Sequence, residues 1–241
     1  MTGRLAADTA LVLAAGLGTR MRPLTDTLPK PLVPVAGKPL IDHALDRLAE
    51  AGITRAVVNV HYLPEQIEAH LAGCAMPQCV ISDERAQLLE TGGGMVKGWR
   101  QGLLPDPFFC LNSDNVWLDG PRNAFAELSA AWQPDVMDAL LLLVPHKGAW
   151  NYRGKGDFHL DPLGRISRRR SSQIAPYIFT GIQIVSHRLL RDAPDGPFST
   201  NILWNRAIAE GRLFGTTFAG QWFEVGEPAA IAPTEAALTL G

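Results

Sequence analysis

Residues 10–39 read ALVLAAGLGTRMRPLTDTLPKPLVPVAGKP, and this stretch decides the fold class. It opens with a short apolar run, residues 10–15, that enters a turn containing Gly16 and Gly18. A continuous apolar run of this length that ends in glycines is typical of a buried parallel strand. The four prolines at positions 23, 29, 31 and 34 predict an extended loop after the turn, because each restricts its own φ and the residue before it.

The glycine turn also has the chemistry of an anion site. Glycines let the backbone approach a phosphate closely, and Arg20, Arg22 and Lys30 add positive charge. An ordinary turn with scattered surface cations is the plain alternative. A dinucleotide fingerprint does not fit, because its third glycine would fall at Met21 and Pro23 stands where its helix should begin.

Composition narrows the class of protein. The chain has 241 residues, of which 46% are hydrophobic, so it can bury a substantial core. A net charge of −2 excludes a global basic field for nucleic acid. Residues 1–9 lack the apolar core of a signal peptide, and the longest apolar run, residues 139–145, is too short to span a bilayer.

The three cysteines show no repeated metal-type spacing, which favours a reduced compartment. We therefore expect a cytoplasmic protein that binds neither nucleic acid nor membrane. Its assembly state is expected to be a monomer or a small homo-oligomer.

Strand and helix patterns alternate along the chain. Helices are predicted over residues 40–51, 63–71, 95–101, 123–132, 200–210 and 229–238. Strands are predicted over residues 53–60, 79–82, 108–111, 139–144 and 177–185. This order predicts one Rossmann-like, three-layer α/β/α domain with a mostly parallel central sheet, covering residues 1–241.

Two further segments attract attention. Asp114 follows the predicted strand 108–111, at the sheet edge where open α/β sheets bind ligands, although it could simply cap the next segment. Residues 88–95 read LLETGGGM, and the three glycines either leave room for a flat ligand or make a tight turn before the helix at 95–101.

Together these segments resemble a known family. Residues 13–25 read LAAGLGTRMRPLT and residues 29–35 read PKPLVPV, a pattern similar to the signature of sugar-1-phosphate nucleotidylyltransferases. Residues 88–92 resemble the family's Leu-Gly-Thr-Ala-Gly segment, and residues 222–228, WFEVGEP, resemble its Trp-x-Asp-Val-Gly-Thr-Pro. The resemblance implies transfer of a nucleotidyl group from a nucleoside triphosphate to a sugar 1-phosphate, with Mg²⁺ as cofactor.

The resemblance also implies roles for individual residues. Arg20 and Lys30 would be catalytic, and Asp114 and Glu224 would hold Mg²⁺. The nucleotide would be bound by Ala14, Ala15, Gly16, Gly18, Thr19, Arg20, Lys30, Glu90, Thr91, Gly92 and Asn112. The sugar would be bound by Asn112, Asn151, Gly156, Asp157, Thr180 and Gly181. Residues 10–118 would form a nucleotide-binding half and residues 119–241 a sugar-binding half.

The chain departs from the family pattern in three places. Glu90 replaces the usual glycine of the base-reading segment, and Glu224 replaces the usual aspartate. The family's Glu-Lys-Pro, whose lysine binds the sugar phosphate, is absent, so Arg153, Lys155 or Arg168 could take over that role. The arginines of residues 165–170 are otherwise expected at a solvated hairpin tip.

The substrate follows from finer similarities. Residues 88–94, 112–117, 156–158 and 179–182 most resemble the N-acetylmuramate-1-phosphate uridylyltransferases of peptidoglycan recycling, which use UTP. The lactyl carboxylate of that sugar needs a cation, and residues 153–170 supply several. The alternatives are a mannose-1-phosphate guanylyltransferase and, after it, a glucose-1-phosphate thymidylyltransferase, whose usual Gln in the base-reading segment is not evident. An alternative of another class is a nucleotide-binding regulatory subunit without turnover.

Overall fold

The computed structural model describes residues 4–240. Residues 1–3 and 241 lie outside the described residues. They are part of the predicted domain of residues 1–241, and residues 1–3 are also part of the segment that is predicted not to be a signal peptide. The strands are β1 (Thr9–Leu13), β2 (Pro34–Val35), β3 (Lys38–Pro39), β4 (Arg55–Val60), β5 (Gln78–Asp83), β6 (Phe108–Asn112), β7 (Asn115–Leu118), β8 (Ala139–Pro145), β9 (Ala149–Trp150), β10 (Phe158–Leu160), β11 (Ile166–Arg168), β12 (Tyr177–Val185), β13 (Leu213–Thr217) and β14 (Gln221–Glu224). The helices are α1 (Leu40–Ala51), α2 (Pro64–Leu71), α3 (Glu90–Arg100), α4 (Ala124–Ala131), α5 (His187–Leu190), α6 (Asn201–Ala209) and α7 (Ile231–Leu240).

Seven strands of the nine-stranded central sheet run β5–β4–β1–β6–β12–β8–β13, and β12 is antiparallel to β6 and β8. Strand β10 also pairs antiparallel with β12 and adds β11 to the same sheet. The other neighbouring pairs in this order are parallel. The chain adds β4 and β5 on one side of β1 and then returns to place β6 on the other side. The predicted mostly parallel α/β sheet is confirmed, and the strand order reverses between β1 and β6, where such sheets bind ligands.

Helices cover both faces of the sheet. Side chains alternate along β1, so Val12 faces one core and Leu11 the other. The first core is covered by α1, α2 and α4, and the second by α3, α5 and α6. Helix α1 has the predicted bounds and ends at Gly52, whose φ of +86° is a left-handed C-cap. The predicted three-layer arrangement is therefore confirmed.

Helix α3 begins five residues before the predicted start at residue 95. Gly92, Gly93 and Gly94 are therefore helical, which excludes the tight turn, one of the two alternatives for these glycines. A Cβ on Gly93 would lie 2.6 Å from the carbonyl oxygen of Gly196. The glycines let the helix approach its neighbours closely, a tertiary requirement that outweighs the poor helix propensity of glycine.

The proline-rich segment is more ordered than the predicted extended loop. It forms three 3₁₀ turns, Thr19–Met21, Leu24–Asp26 and Lys30–Leu32, followed by the β2–β3 hairpin. The fixed φ of proline suits a 3₁₀ turn as well as extended backbone. Met21 and Val33 pack on Phe223 in a small third core that ties this segment to β14.

Two smaller features complete the architecture. Strands β10 and β11 form a hairpin, so the arginines of residues 165–170 lie largely on and after β11, and the tip predicted there lies instead at residues 161–164. Within residues 4–240, no helix is long and apolar enough to cross a membrane.

Candidate active site

A cavity of about 390 Å³ opens at the carboxyl ends of β1 and β6. Its wall is built by the loop after β1, the segment after β6 and the start of α3. The lining residues are Leu13, Ala14, Ala15, Gly16, Gly18, Lys30, Pro31, Asn59, Leu88, Glu90, Thr91, Asn112, Ser113, Asp114 and Ser199. We call it the first cavity, and it brings together most of the predicted nucleotide-binding residues.

Three of those predicted residues lie elsewhere. Thr19 opens the 3₁₀ turn after the glycine loop, and Arg20 is directed towards Glu224. The N–H of Gly92 donates to the carbonyl of Phe198 at 2.9 Å, so this amide is already committed within the protein. None of the three lines the first cavity.

Gly16 and Gly18, the two glycines of the loop after β1, have different structural roles. Gly18 has a φ of +63°, and a Cβ there would lie 2.9 Å from the Cβ of Lys30. Its carbonyl accepts a hydrogen bond from the hydroxyl of Thr25 at 2.8 Å, which fixes the turn. Gly16 has no atom within 4 Å of its Cβ position. Gly18 therefore shapes the loop, and Gly16 leaves open space for a ligand.

The cations of the loop pair with the two carboxylates predicted to hold metal. Lys30 Nζ forms a hydrogen-bonded ion pair with Asp114 Oδ2. Arg20 Nη1 lies 3.7 Å from Glu224 Oε1. Strand β14 pairs with β7 so that Glu224 lies opposite Asn115, the residue after Asp114. Asp114 lies in the turn just before β7, so the pairing of β7 with β14 brings the two carboxylates, and the two ion pairs they form, next to each other. We call this place the junction.

A buried hydrogen-bond relay beneath the first cavity was not predicted. The N–H of Ala14 donates to Asn59 Oδ1 at 2.7 Å, and Asn59 Nδ2 donates to Glu84 Oε1 at 2.8 Å. Glu84 Oε2 accepts the N–H of Leu89 at 3.2 Å. Burial raises the pKa of Glu84, whose hydrogen bonds oppose that shift. The relay ties the glycine loop to the segment before α3.

One signal in the sequence pointed to this relay. Asn59 interrupts the apolar strand Val57–Val60, and a buried polar side chain on a strand needs a partner. A Cβ on Gly94 would lie 2.8 Å from both Asn59 Nδ2 and Glu84 Oε1. The third glycine of the segment therefore makes room for the relay.

Glu90 lies at the mouth of the first cavity with a left-handed φ of +58°. This conformation costs a non-glycine residue roughly 1–2 kcal/mol, which explains why the family pattern has glycine here. Thr91, the next residue, accepts the N–H of Thr200 on its hydroxyl at 3.0 Å. The Thr91 side chain therefore holds α3 against the start of α6, while the Glu90 side chain stays exposed.

A second cavity, of about 340 Å³, is lined by Glu224 and by the loop after β9. Its lining residues are Arg20, Asn151, Tyr152, Arg153, Gly154, Glu224, Gly226, Glu227 and Ala230. Burial, aided by the charge of Asp157, raises the pKa of Tyr152, which keeps this phenol protonated at neutral pH. One ion pair therefore lines each cavity: Lys30 with Asp114 the first, and Arg20 with Glu224 the second.

The predicted sugar-binding residues divide into two groups. Asn112 lines the first cavity and Asn151 the second. The other four, Gly156, Asp157, Thr180 and Gly181, line neither of these two cavities.

The four residues outside the cavities have structural contacts instead. Asp157 Oδ2 accepts the N–H of Phe179 at 2.9 Å, and the Thr180 hydroxyl, fully buried, donates to the carbonyl of Leu142 at 2.9 Å. Gly156 and Gly181 have positive φ values of +75° and +83°. These side chains and turns hold β12 in place, which the linear motif could not show.

Two asparagines meet behind Asp114. A Cβ on Gly181 would lie 2.7 Å from Asn112 Nδ2 and 2.9 Å from Asn115 Nδ2. Asn115 Oδ1 accepts the indole N–H of Trp222 at 3.3 Å. Gly181 therefore leaves the space in which Asn112 reaches the first cavity.

Comparison with known proteins identifies the class. A family model of nucleotidyl transferases matches residues 9–152. The chain therefore belongs to the nucleotidyl transferase family, and its enzyme class is that of the sugar-1-phosphate nucleotidylyltransferases. The predicted resemblance is confirmed.

Individual relatives narrow the class. The chain is 46% identical to an N-acetylmuramate alpha-1-phosphate uridylyltransferase of Caulobacter vibrioides, over 95% of this chain and 96% of the relative. A protein of the same name from Neisseria meningitidis is 36% identical over 90% and 92% of the two chains. A mannose-1-phosphate guanyltransferase of Hypocrea jecorina is 30% identical over 90% of this chain, but over only 60% of its own length.

Solved structures confirm the fold. An inositol-1-phosphate CTP transferase from T. maritima superposes with a TM-score of 0.78 at 17% identity, covering 99% of this chain and 97% of that one. A UDP-glucose pyrophosphorylase complexed with UDP-glucose gives a TM-score of 0.76 at 15% identity, over 97% and 98% of the chains. At this identity the likeness concerns the fold alone.

Proposed function

We propose that the protein transfers the uridylyl group of UTP to N-acetylmuramate 1-phosphate, forming UDP-N-acetylmuramate and pyrophosphate. The observation that carries the proposal is the pairing of Lys30 with Asp114, which both line the first cavity, and of Arg20 with Glu224, which both line the second. Two cations and two carboxylates at one junction suit a reaction in which highly charged phosphates meet. The 46% identity to a uridylyltransferase of this name supports the choice of base and sugar.

The reaction needs alignment and charge neutralisation more than proton transfer. An oxygen of the sugar phosphate attacks the α-phosphorus of UTP in line, and the bond from that phosphorus to the pyrophosphate oxygen breaks. The attacking phosphate is already an anion, so no general base is required. Arg20 and Lys30 offset the charge that builds up on the leaving pyrophosphate, and the open face at Gly16 admits the triphosphate.

The donor set of Asp114 and Glu224 fits a magnesium ion. Both are hard oxygen ligands, and Mg²⁺ is usually held by one or two carboxylates together with substrate phosphates. When bound, the ion supplies charge neutralisation on the attacking and α-phosphate oxygens. Glu224 is one methylene longer than the usual aspartate, and its proximity to Arg20 keeps it at the junction.

The two cavities suggest how the substrates divide. In this proposal residues 10–118 supply most of the UTP site, which is the first cavity, and Glu90 accepts the imide N–H of uracil. Residues 119–241 supply most of the sugar site, which is the second cavity, together with Asn112. Arg20 crosses from one half to the other.

A pyrophosphate-release assay tests the function. UTP, GTP and dTTP are each combined with the 1-phosphates of N-acetylmuramate, N-acetylglucosamine and mannose, with Mg²⁺ present. We expect UTP with N-acetylmuramate 1-phosphate to give the highest kcat/KM. A higher value for GTP with mannose 1-phosphate would support the guanylyltransferase instead.

An inactive variant gives the matched control. Asp114→Ala should lower turnover by at least about 10²–10³-fold, since one charge-stabilising contact is often worth that much. No turnover with any pair, in the wild type and the variant alike, would support the regulatory subunit.

The proposal also places the protein in the cytoplasm, in peptidoglycan recycling. Cys74, Cys79 and Cys110 are free thiols, in keeping with a reducing compartment. Cells that lack the protein should accumulate N-acetylmuramate 1-phosphate, measured by mass spectrometry of extracts. An unchanged level of that metabolite would contradict the role in recycling.

A further inference from the structure

We infer that Arg153 binds the lactyl carboxylate of the sugar and thereby sets the preference for a carboxylated sugar 1-phosphate. The inference rests on the proposed function and names the residue that decides its sugar specificity. It begins from the second cavity, which Arg153 shares with Arg20 and Glu224. A sugar phosphate that reacts at the junction marked by Arg20 and Glu224 has its ring in this cavity.

The other basic candidates of this region are occupied or turned elsewhere. Arg168 donates to Asn201 at 2.7 Å and to Asn205 at 3.0 Å, and its guanidinium lies 5.0 Å from the ring centre of Phe158. Lys155 does not line the second cavity.

The side chain of Arg169 is occupied by hydrogen bonds to the backbone of its own loop. Its Nε donates to the carbonyl of Gly156 at 3.0 Å, and its Nη1 donates to the carbonyls of Ser171 at 3.0 Å and Gln173 at 3.1 Å. Arg169 is thus a structural residue that closes the segment after β11. Of the arginines between residues 153 and 170, Arg153 is the one that lines the second cavity.

The residues on both sides of Arg153 are held in place by hydrogen bonds. On one side Asn151 Nδ2 donates to the hydroxyl of Thr234 on α7 at 3.0 Å. The Tyr152 hydroxyl accepts the N–H of Gly156 at 3.1 Å, and its ring packs edge-on against His146 at 5.8 Å. These contacts fix the backbone on both sides of Arg153, so less of the loop has to be ordered when its exposed side chain binds an anion.

The chemistry of the guanidinium suits a carboxylate. Within residues 4–240, Arg153 forms no ion pair with an acidic side chain, although Glu227 also lines the cavity. Its planar fork of donors matches the two oxygens of a carboxylate. Arg20 is already assigned to the triphosphate, which leaves Arg153 for the second anion of the sugar.

The experiment compares two sugars that differ only in the lactyl group. N-acetylglucosamine 1-phosphate has a hydroxyl where N-acetylmuramate 1-phosphate has the lactyl ether. The kcat/KM for each is measured with UTP for the wild type, Arg153→Leu, Arg153→Lys and Arg170→Leu. Arg170 is an exposed arginine that does not line the cavity, so its variant controls for the loss of one positive charge.

We expect Arg153→Leu to lower kcat/KM for N-acetylmuramate 1-phosphate about 10- to 100-fold, the usual range for a lost charged hydrogen bond. The value for N-acetylglucosamine 1-phosphate should stay within about twofold, so the ratio of the two collapses. Arg153→Lys should fall between, because lysine keeps the charge and loses the fork. Arg170→Leu should keep the wild-type ratio.

Four outcomes overturn the inference. Three concern the variants: an unchanged ratio in Arg153→Leu, an equal drop for both sugars, and a comparable change in Arg170→Leu. A wild type that uses both sugars equally well also overturns it. The proposed function fails separately, when the wild type forms no UDP-sugar from N-acetylmuramate 1-phosphate. Thermal melting of each variant confirms that it is folded before the ratios are compared.

Discussion

Replacing Lys30 by methionine should tighten the binding of a divalent cation to the nucleotide-free protein. Lys30 is the partner of Asp114, and its side chain is only 13% exposed, compared with 30% for Asp114. A cation that binds Asp114 must therefore compete with an ammonium group already in contact with the carboxylate. Triphosphate removes this competition in the wild type, because its oxygens offer Lys30 another partner.

The size of the effect follows from the setting of the pair. Two charges about 4 Å apart interact by about 4 kcal/mol at an effective dielectric constant of 20, whereas exposed pairs are worth about 1 kcal/mol or less. The Lys30–Asp114 pair lies between these limits, so its loss should change the binding free energy by about 1–2 kcal/mol. This corresponds to a roughly 5- to 30-fold tighter Kd for the metal.

Titration with Mn²⁺, followed by the electron paramagnetic resonance signal of the free ion, measures this Kd without nucleotide or turnover. The matched control is Lys38→Met, which removes a cation paired with Asp46 on the surface, away from both cavities. The same Lys30→Met variant should lose about 10²–10³-fold in turnover, so metal affinity and activity move in opposite directions. Equal affinities of the wild type and Lys30→Met would refute the reasoning, as would an equal gain in Lys38→Met.

Further predictions concern the glycines and the acids around the first cavity. Gly94→Ala should destabilise the protein by about 1–3 kcal/mol in urea unfolding, because its Cβ would crowd the relay, whereas Gly16→Ala should keep its stability and lose UTP affinity in calorimetry. Equal stabilities of the two variants would contradict this reading. Burial raises the pKa of Glu84, so the folded state binds the proton of this carboxyl more tightly than the unfolded state. The free energy of unfolding of the wild type should therefore fall relative to that of Glu84→Gln as the pH rises above about 4.5, the ordinary glutamate pKa. A difference in unfolding free energy that stays flat or rises with pH would show that Glu84 is not protonated preferentially in the fold. Glu90→Gly should not lower the Tm, since glycine adopts a φ of +58° freely, but it should reduce the kcat/KM preference for UTP over GTP; an unchanged preference would remove Glu90 from base recognition.

The sequence pattern predicted a helix or strand well wherever the residues within that segment decide its structure. The period of apolar residues gave helix α1 its bounds, and Gly52 supplied the C-cap that ends it. The apolar run before Gly16 gave strand β1 within two residues of its end. These features depend on neighbours within one or two turns, so a sequence window contains the physics that decides them.

Pattern failed where distant residues decide the outcome. The three glycines at positions 92–94 allow either a ligand surface or a tight turn by pattern alone, yet they are helical, because Gly196 and the Asn59–Glu84 relay must come close. The side chains of Asp157 and Thr180, which the motif predicts to contact the sugar, form hydrogen bonds with the backbone of β12 and β8, and their role towards a sugar stays a prediction. A linear motif records which residues recur together and does not distinguish a ligand contact from the support beneath it.

The sequence by itself determined the reaction class, because a loop of glycines with Arg20 and Lys30 can be recognised from consecutive residues. It also supplied the order of six helices and of the strands β1, β4, β5, β6, β8 and β12, which follows from local periodicity, whereas β13, β14 and α5 were not predicted. Only the tertiary structure decided which partners these cations meet, since Asp114 and Glu224 lie 84 and more than 200 residues along the chain from Lys30 and Arg20. The tertiary structure also showed that Arg153, unlike the other arginines of its region, lines the second cavity. Which arginine lines a cavity depends on packing between strands that are far apart in sequence.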